Sequence, residues 1–108
     1  QKKNFQNPDA TQTPPNVRTE NITIGEMTVS KQIYQPGWQW SKDIKPIAKT
    51  NSCQVHHFGV LASGRLRVRA DDGQEMDFGP DDVVDIPPGH DGWTIGNEPA
   101  IFYWFTRK

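Results

Sequence analysis

The chain has a single cysteine among its 108 residues, Cys53, so no intramolecular disulfide framework can hold it together. That suits a reducing compartment and makes the cytoplasm the expected location, although an exported protein without disulfides would have the same composition. Apolar runs approaching the roughly 20 residues of a membrane helix are also missing. The opening stretch, QKKNFQNPDATQTPPN, lacks the apolar middle section of a secretory signal. A soluble protein is expected. Neither sign of charge is in excess, since 12 lysines and arginines stand against 13 aspartates and glutamates for a net charge of -1. No positive field exists to neutralise a phosphate backbone or an anionic bilayer, so neither nucleic acid nor a membrane is expected as a partner. No helical period of useful length is found, and no serine-histidine-aspartate order, phosphate-cradling glycine loop or paired carboxylate. Asp71, Asp72, Asp81 and Asp82 lack the ligand alternation and terminal glutamate of a calcium loop and belong to turns.

What the sequence does contain is the grammar of short strands. Its length suits one domain. Residues 1–20 are polar, proline-bearing and aperiodic, which predicts a loosely ordered N-terminal arm, frayed at least to Asn7, ahead of a folded domain over 21–108. From Asn21 onward, runs of β-branched and aromatic residues alternate with glycine, proline and aspartate. ITI and MTVSKQIY read as strands about Gly25-Glu26. PGWQWSKDIKPIAKTNS reads as a long loop with room for one helical turn, because Pro36-Gly37 and Lys45-Pro46 resist regular structure. QVHHFGVLA, RLRVRA, QEMDF, a strand within GPDDVVDIPPG that ends at Pro87-Pro88, WTIG and AIFYWF supply further strands, with Asp72-Gly73 predicted as a two-residue hairpin turn. About eight strands and few helices predict an all-β sandwich or barrel.

The chemistry gathers in NSCQVHHFGVLASGRLRV, residues 51–68. Side chains alternate along a strand, so His56 and His57 point to opposite faces and only one looks inward. Trp38 and Trp40, two apart, share a face in extended chain; with Trp93 they can wall a pocket at the barrel mouth, or serve as core cover. Trp104, in the final strand, reads as core. Arg65 and Arg67 share one strand face and suit either a bound carboxylate or the solvated side of a sheet.

Two segments resemble the cupin family, whose fold is a jelly-roll barrel, or double-stranded β-helix. HHFGVLASGRLRV is similar to the part of the first cupin motif in which a ligand residue precedes a hairpin glycine, and GPDDVVDIPPGHDGW to the second motif, here with Gly79, Pro87 and Gly89. PGWQWS and IPPGHDGW also match a smaller group of single-domain cupins. Typical cupins hold a divalent ion such as zinc, iron, manganese, nickel or copper with three histidines and a glutamate. The resemblance places Asn51 and Cys53 at the first histidine pair, His57 at the glutamate and Gly92 at the last histidine, so none of the four matches. It also turns His57, Gly59 and Leu61 inward and leaves His56 and Phe58 outside. His90 lies two residues before the usual last ligand.

A rearranged metal site of Cys53, His57 and His90 is therefore one expectation. A straight strand would put Cys53 and His57 about 13 Å apart, so the chain must bend between them, as the family motif does. The other expectation makes Cys53 a small buried apolar residue, has His57 donate to a strand carbonyl, and leaves His90 with Asp91 shaping an exposed turn. Three functions remain open. The first is binding of a small organic ligand, as sensor or carrier, in a pocket of His57, Trp38, Trp40, Trp93 and Leu61. The second is a metal-dependent oxidoreductase, isomerase or lyase, and the third an assembly module, for which the resemblance implies a homodimer paired through edge strands or the arm.

Overall fold

The computed structural model describes residues 1–107. Nine strands and two single-turn helices run in the order β1 (Ala10–Gln12), β2 (Val17–Ile24), β3 (Met27–Tyr34), α1 (Trp40–Asp43), α2 (Lys45–Ala48), β4 (His57–Ser63), β5 (Leu66–Ala70), β6 (Glu75–Phe78), β7 (Val83–Ile86), β8 (His90–Thr94) and β9 (Ala100–Arg107). They form a six-stranded sheet, β1-β2-β3-β9-β4-β7, and a three-stranded sheet, β6-β5-β8. Every named pairing is antiparallel. From β4 onward the chain passes repeatedly between the sheets, and two facing layers result. The all-β expectation holds, but the sheets form an open jelly-roll sandwich and do not close into a hydrogen-bonded barrel. Among the described residues two isolated bridges, Gln39↔Trp93 and Cys53↔His90, continue the small sheet beyond β8.

Alternation sets the layers. On β9, Ala100, Phe102 and Trp104 are buried while Ile101, Tyr103 and Phe105 are more open. Phe102 and Leu61 have no exposed surface, and Phe102 stacks on Trp104 with ring centroids 4.1 Å apart at 8°. Gly64 ends β4 with φ 78, and a Cβ there would lie 2.2 Å from the Pro99 carbonyl oxygen, so the first crossing between sheets requires glycine.

Three expectations change. The arm is docked: Lys3 pairs with Asp9 at 3.0 Å and donates to the Thr23 carbonyl at 2.7 Å, while Phe5 packs on Tyr103 with centroids 5.7 Å apart. Strands also begin at Ala10 and Val17, well before Asn21. The long loop holds two helical turns, because Pro46 falls in the first turn of α2, where its missing N–H has no partner to lose. At the β5–β6 hairpin only Gly73 takes positive φ (91), and its N–H bonds Ala70 O at 2.9 Å while Ala70 N–H bonds Gln74 O at 2.8 Å. This is a type I turn closed by a glycine bulge, one residue longer than the expected turn.

Candidate metal centre

His57 opens β4 and points between the sheets, whereas His56 lies outside and pairs with the exposed Asp85 carboxylate. The chain does bend ahead of β4. Residues 54–56 belong to no strand, and Cys53 is drawn onto β8, its N–H donating to His90 O at 2.7 Å and its carbonyl accepting from Gly89 N–H at 2.7 Å. With the chain bent, Cys53 Sγ and His57 Nε2 lie 3.7 Å apart. On β8, His90, Gly92 and Thr94 share the buried face. A histidine two residues ahead of Gly92 therefore projects into the same space that a residue at 92 would. Trp38 packs over Gly92, where an added Cβ would lie 3.8 Å from its ring.

Cys53, His57 and His90 thus converge, each offering one ligand atom, with those atoms all within 4.8 Å of one another. Two atoms bound to one zinc at tetrahedral angles stand about 3.6 Å apart, given bond lengths of about 2.3 Å to sulfur and 2.0–2.1 Å to nitrogen. The Cys53–His57 pair is already at that spacing. His90 Nδ1 lies 2.9 Å from the Pro87 carbonyl oxygen, which can only accept, so Nδ1 carries the proton and Nε2 keeps its lone pair. The expectation that His90 shapes an exposed turn is corrected, since it is 5% exposed.

Electrostatics keep the imidazoles in the ligating form. Burial, reinforced by the neighbouring His90 and His56, lowers the His57 pKa to about 4. Burial also lowers that of His90, against the opposing pull of the Pro87 carbonyl and of Asp71 and Asp91. Both rings are neutral at pH 7. Cys53 is pushed upward, chiefly by burial, so the protein alone holds a thiol and a metal ion would have to displace its proton.

The cluster forms one wall of a cavity of about 350 Å³. Trp38 and Trp40 both line it, and the intervening Gln39 turns away to Asp91. Asp91 also accepts from Ser41 N–H at 3.0 Å and Asp43 from Gln39 N–H at 3.0 Å, fixing the tryptophan loop against β8. Two expected pocket residues do not line it. Trp93 alternates to the outer face of β8, where the Arg69 guanidinium sits 5.6 Å from its ring centroid, and Leu61 faces inward but is sealed within the core. Trp104, expected as core alone, also lines the cavity and packs 4.9 Å from His57. Tyr34, Ile44 and Ile86 complete much of the apolar wall. A polar row, Gln12, Thr19 and Gln32, comes from three paired strands, of which β1 lies wholly and β2 partly in the stretch expected to be a loose arm. Period-two spacing of Val17, Thr19 and Asn21 was the available signal. Arg67 is on the solvated side, forked onto Asp77 at 2.6 and 2.9 Å.

No family model and no curated protein matches the chain. Solved structures do. A protein of unknown function from Rhizobium leguminosarum aligns over 99% of this chain and 95% of its own, with a TM-score of 0.69 at 21% identity. A cupin 2 conserved barrel domain protein from Salinispora arenicola aligns over 97% and 88%, with a TM-score of 0.67 at 17% identity. The fold is that of the cupins. An oxalate decarboxylase from Lactobacillus farciminis, in complex with formate, shares it over 92% of this chain and 31% of its own, with a TM-score of 0.67 at 16% identity. The cupin fold supports many activities, so the site must carry the functional reading.

Proposed function

We propose that the protein binds one divalent transition-metal ion through Cys53, His57 and His90, and takes a small organic ligand into the adjoining cavity. The observation that carries this is the convergence of three donors, two buried and one half-buried, on the cavity wall. One thiolate with two imidazoles suits zinc or copper, and accepts iron or nickel more readily than manganese, which favours oxygen donors. The chain's own residues do the positioning. Pro87 holds the His90 tautomer, Trp104 packs beside the His57 ring, and Trp38 and Trp40 supply an apolar surface for the ligand's body.

Catalysis is the second reading, and the observation favouring it is that, among the described residues, three protein donors meet here. Such sites leave a coordination position for water or substrate, as in catalytic zinc. An ion bound there would polarise the ligand, in an oxidoreductase, isomerase or lyase reaction.

The test is elemental analysis of protein purified without a histidine tag. One equivalent of metal in the wild type, lost in His57→Ala, is the expected result; no metal under any loading condition would overturn the reading. A thermal-shift screen of small acids and sugars should find stabilisers whose effect disappears in Trp38→Ala.

A further inference from the structure

Three residues of the cavity wall, Trp104, Tyr34 and Gln32, form a hydrogen-bond chain whose direction is fixed from one end. An indole N–H can only donate, and Trp104 Nε1 donates to the Tyr34 hydroxyl oxygen at 3.0 Å. Tyr34 is buried, and burial raises its pKa, so the hydroxyl keeps its own proton and needs an acceptor for it. Gln32 Oε1 is that acceptor. Were the amide reversed, the Tyr34 oxygen would accept twice and its buried proton would face no acceptor among the described residues, an unmet donor that the present arrangement avoids. The chain therefore turns the Gln32 NH2 group away from Tyr34. Among the described residues, Trp38 Nε1 and Thr94 Oγ1 are sealed from solvent without a partner. Gln32 Nε2 has no protein partner either, but it is not sealed and reaches open space. Its neighbours in the row lack this fixed polarity: the Thr19 hydroxyl, its register partner, rotates to donate or accept, and Gln12 lies on the exposed β1 with no bond among the described residues to orient its amide.

We infer that Gln32 reads the ligand by donating from Nε2 to an acceptor oxygen of the carbonyl type, and that Tyr34 is the positioning residue that holds the amide in this sense. A carbonyl oxygen has two lone pairs and brings no proton of its own, so it meets the N–H bonds without conflict. A group that only donates, such as a pyrrole-type N–H, sets donor against donor and is disfavoured. The ligand class is thus a carbonyl compound whose apolar body lies against Trp38 and Trp40. This inference rests on the ligand half of the proposed function and does not involve the metal.

The probes are acetophenone and α-methylstyrene, which share a shape but differ in carrying C=O or C=CH2, titrated by ligand-observed NMR against the untagged wild type and three variants. The quantity read is the change in the ratio of their affinities between proteins, so the greater hydrophobicity of the hydrocarbon cancels. Gln32→Glu, at mildly alkaline pH where the carboxylate is ionised, keeps an acceptor for the Tyr34 hydroxyl but turns an oxygen toward the ligand in place of the N–H bonds. The ratio should move against acetophenone by about tenfold. Gln32→Met, which has no donor, should move it the same way by about threefold or more. In Tyr34→Phe, with Gln32 intact, it should also move by about threefold, whereas a tyrosine that merely packs would weaken both probes alike and leave the ratio untouched. Failure of both probes to bind the wild type overturns the ligand reading and this inference together. Binding of both, with a ratio unchanged in Gln32→Glu and Gln32→Met, overturns this inference alone. A ratio unchanged in Tyr34→Phe overturns the positioning role.

Discussion

The inner face of the six-stranded sheet changes character along its strands. At one end, in register, stand Val17, Tyr34 and Ala100, followed by Phe102 paired with Leu61. At the other stand Thr23, Thr28 and Thr106. Strands and alternation are the same, but the first end is buried and the second borders an open cleft of about 370 Å³, lined by no residue of the three-stranded sheet. His57 and Trp104 line both spaces. The candidate metal site thus sits at the border between packed core and open cleft. There, burial is deep enough to keep imidazoles neutral while space remains beside them.

Substitutions at the two ends should differ sharply. Phe102→Ala, at the closed end, should cost about 3–5 kcal/mol by urea unfolding, because it removes a ring without exposed surface and leaves a cavity; a loss below about 1 kcal/mol would mean that this end is not packed as described. At the border, acid should act through His57. Its pKa is about 4 when folded and that of a free imidazole, 6.5, when unfolded, so between those values the unfolded chain binds more protons. Stability is full above pH 6.5 and falls as the pH drops toward 4, by roughly 3 kcal/mol from this residue, with His90 adding in the same direction. His57→Gln should flatten much of that slope in unfolding curves taken from pH 7 to 4. An equally steep slope would place the acid sensitivity elsewhere.

Trp104→Phe keeps a ring against Phe102 but removes the indole N–H that donates to the Tyr34 hydroxyl at 3.0 Å. About 1 kcal/mol should be lost, with metal content unchanged. Thr28→Val, at the open end, should stay within about 0.5 kcal/mol of wild type, since it alters a half-exposed hydroxyl and suits a strand. A larger loss would show that the hydroxyl row supports the fold.

The same contrast explains what the sequence disclosed. Period-two alternation was readable wherever inward residues are apolar, as in β9 and β4, and Gly64 and Pro87-Pro88 marked crossings between the sheets. It was obscured where inward residues are Thr, Asn and Gln, because these face the cavity or the cleft, so part of β2 read as a polar arm. The inward turn of His57 followed from the family resemblance, and its meeting with Cys53 depends on the bend through 54–56, which no local pattern encodes. His90 and Trp93 differ by an odd number of positions on one strand, so they could not both face inward. Leu61 had the expected direction, but its depth depends on Phe102, forty-one residues away in sequence.

The central claim is that Cys53, His57 and His90 share one ion. X-ray absorption on the zinc-loaded protein tests it most directly, by the number and kind of atoms around the metal. One sulfur at about 2.3 Å with nitrogen at about 2.0–2.1 Å, and the sulfur lost in Cys53→Ser, is the predicted result. A zinc shell without sulfur in the wild type would contradict it.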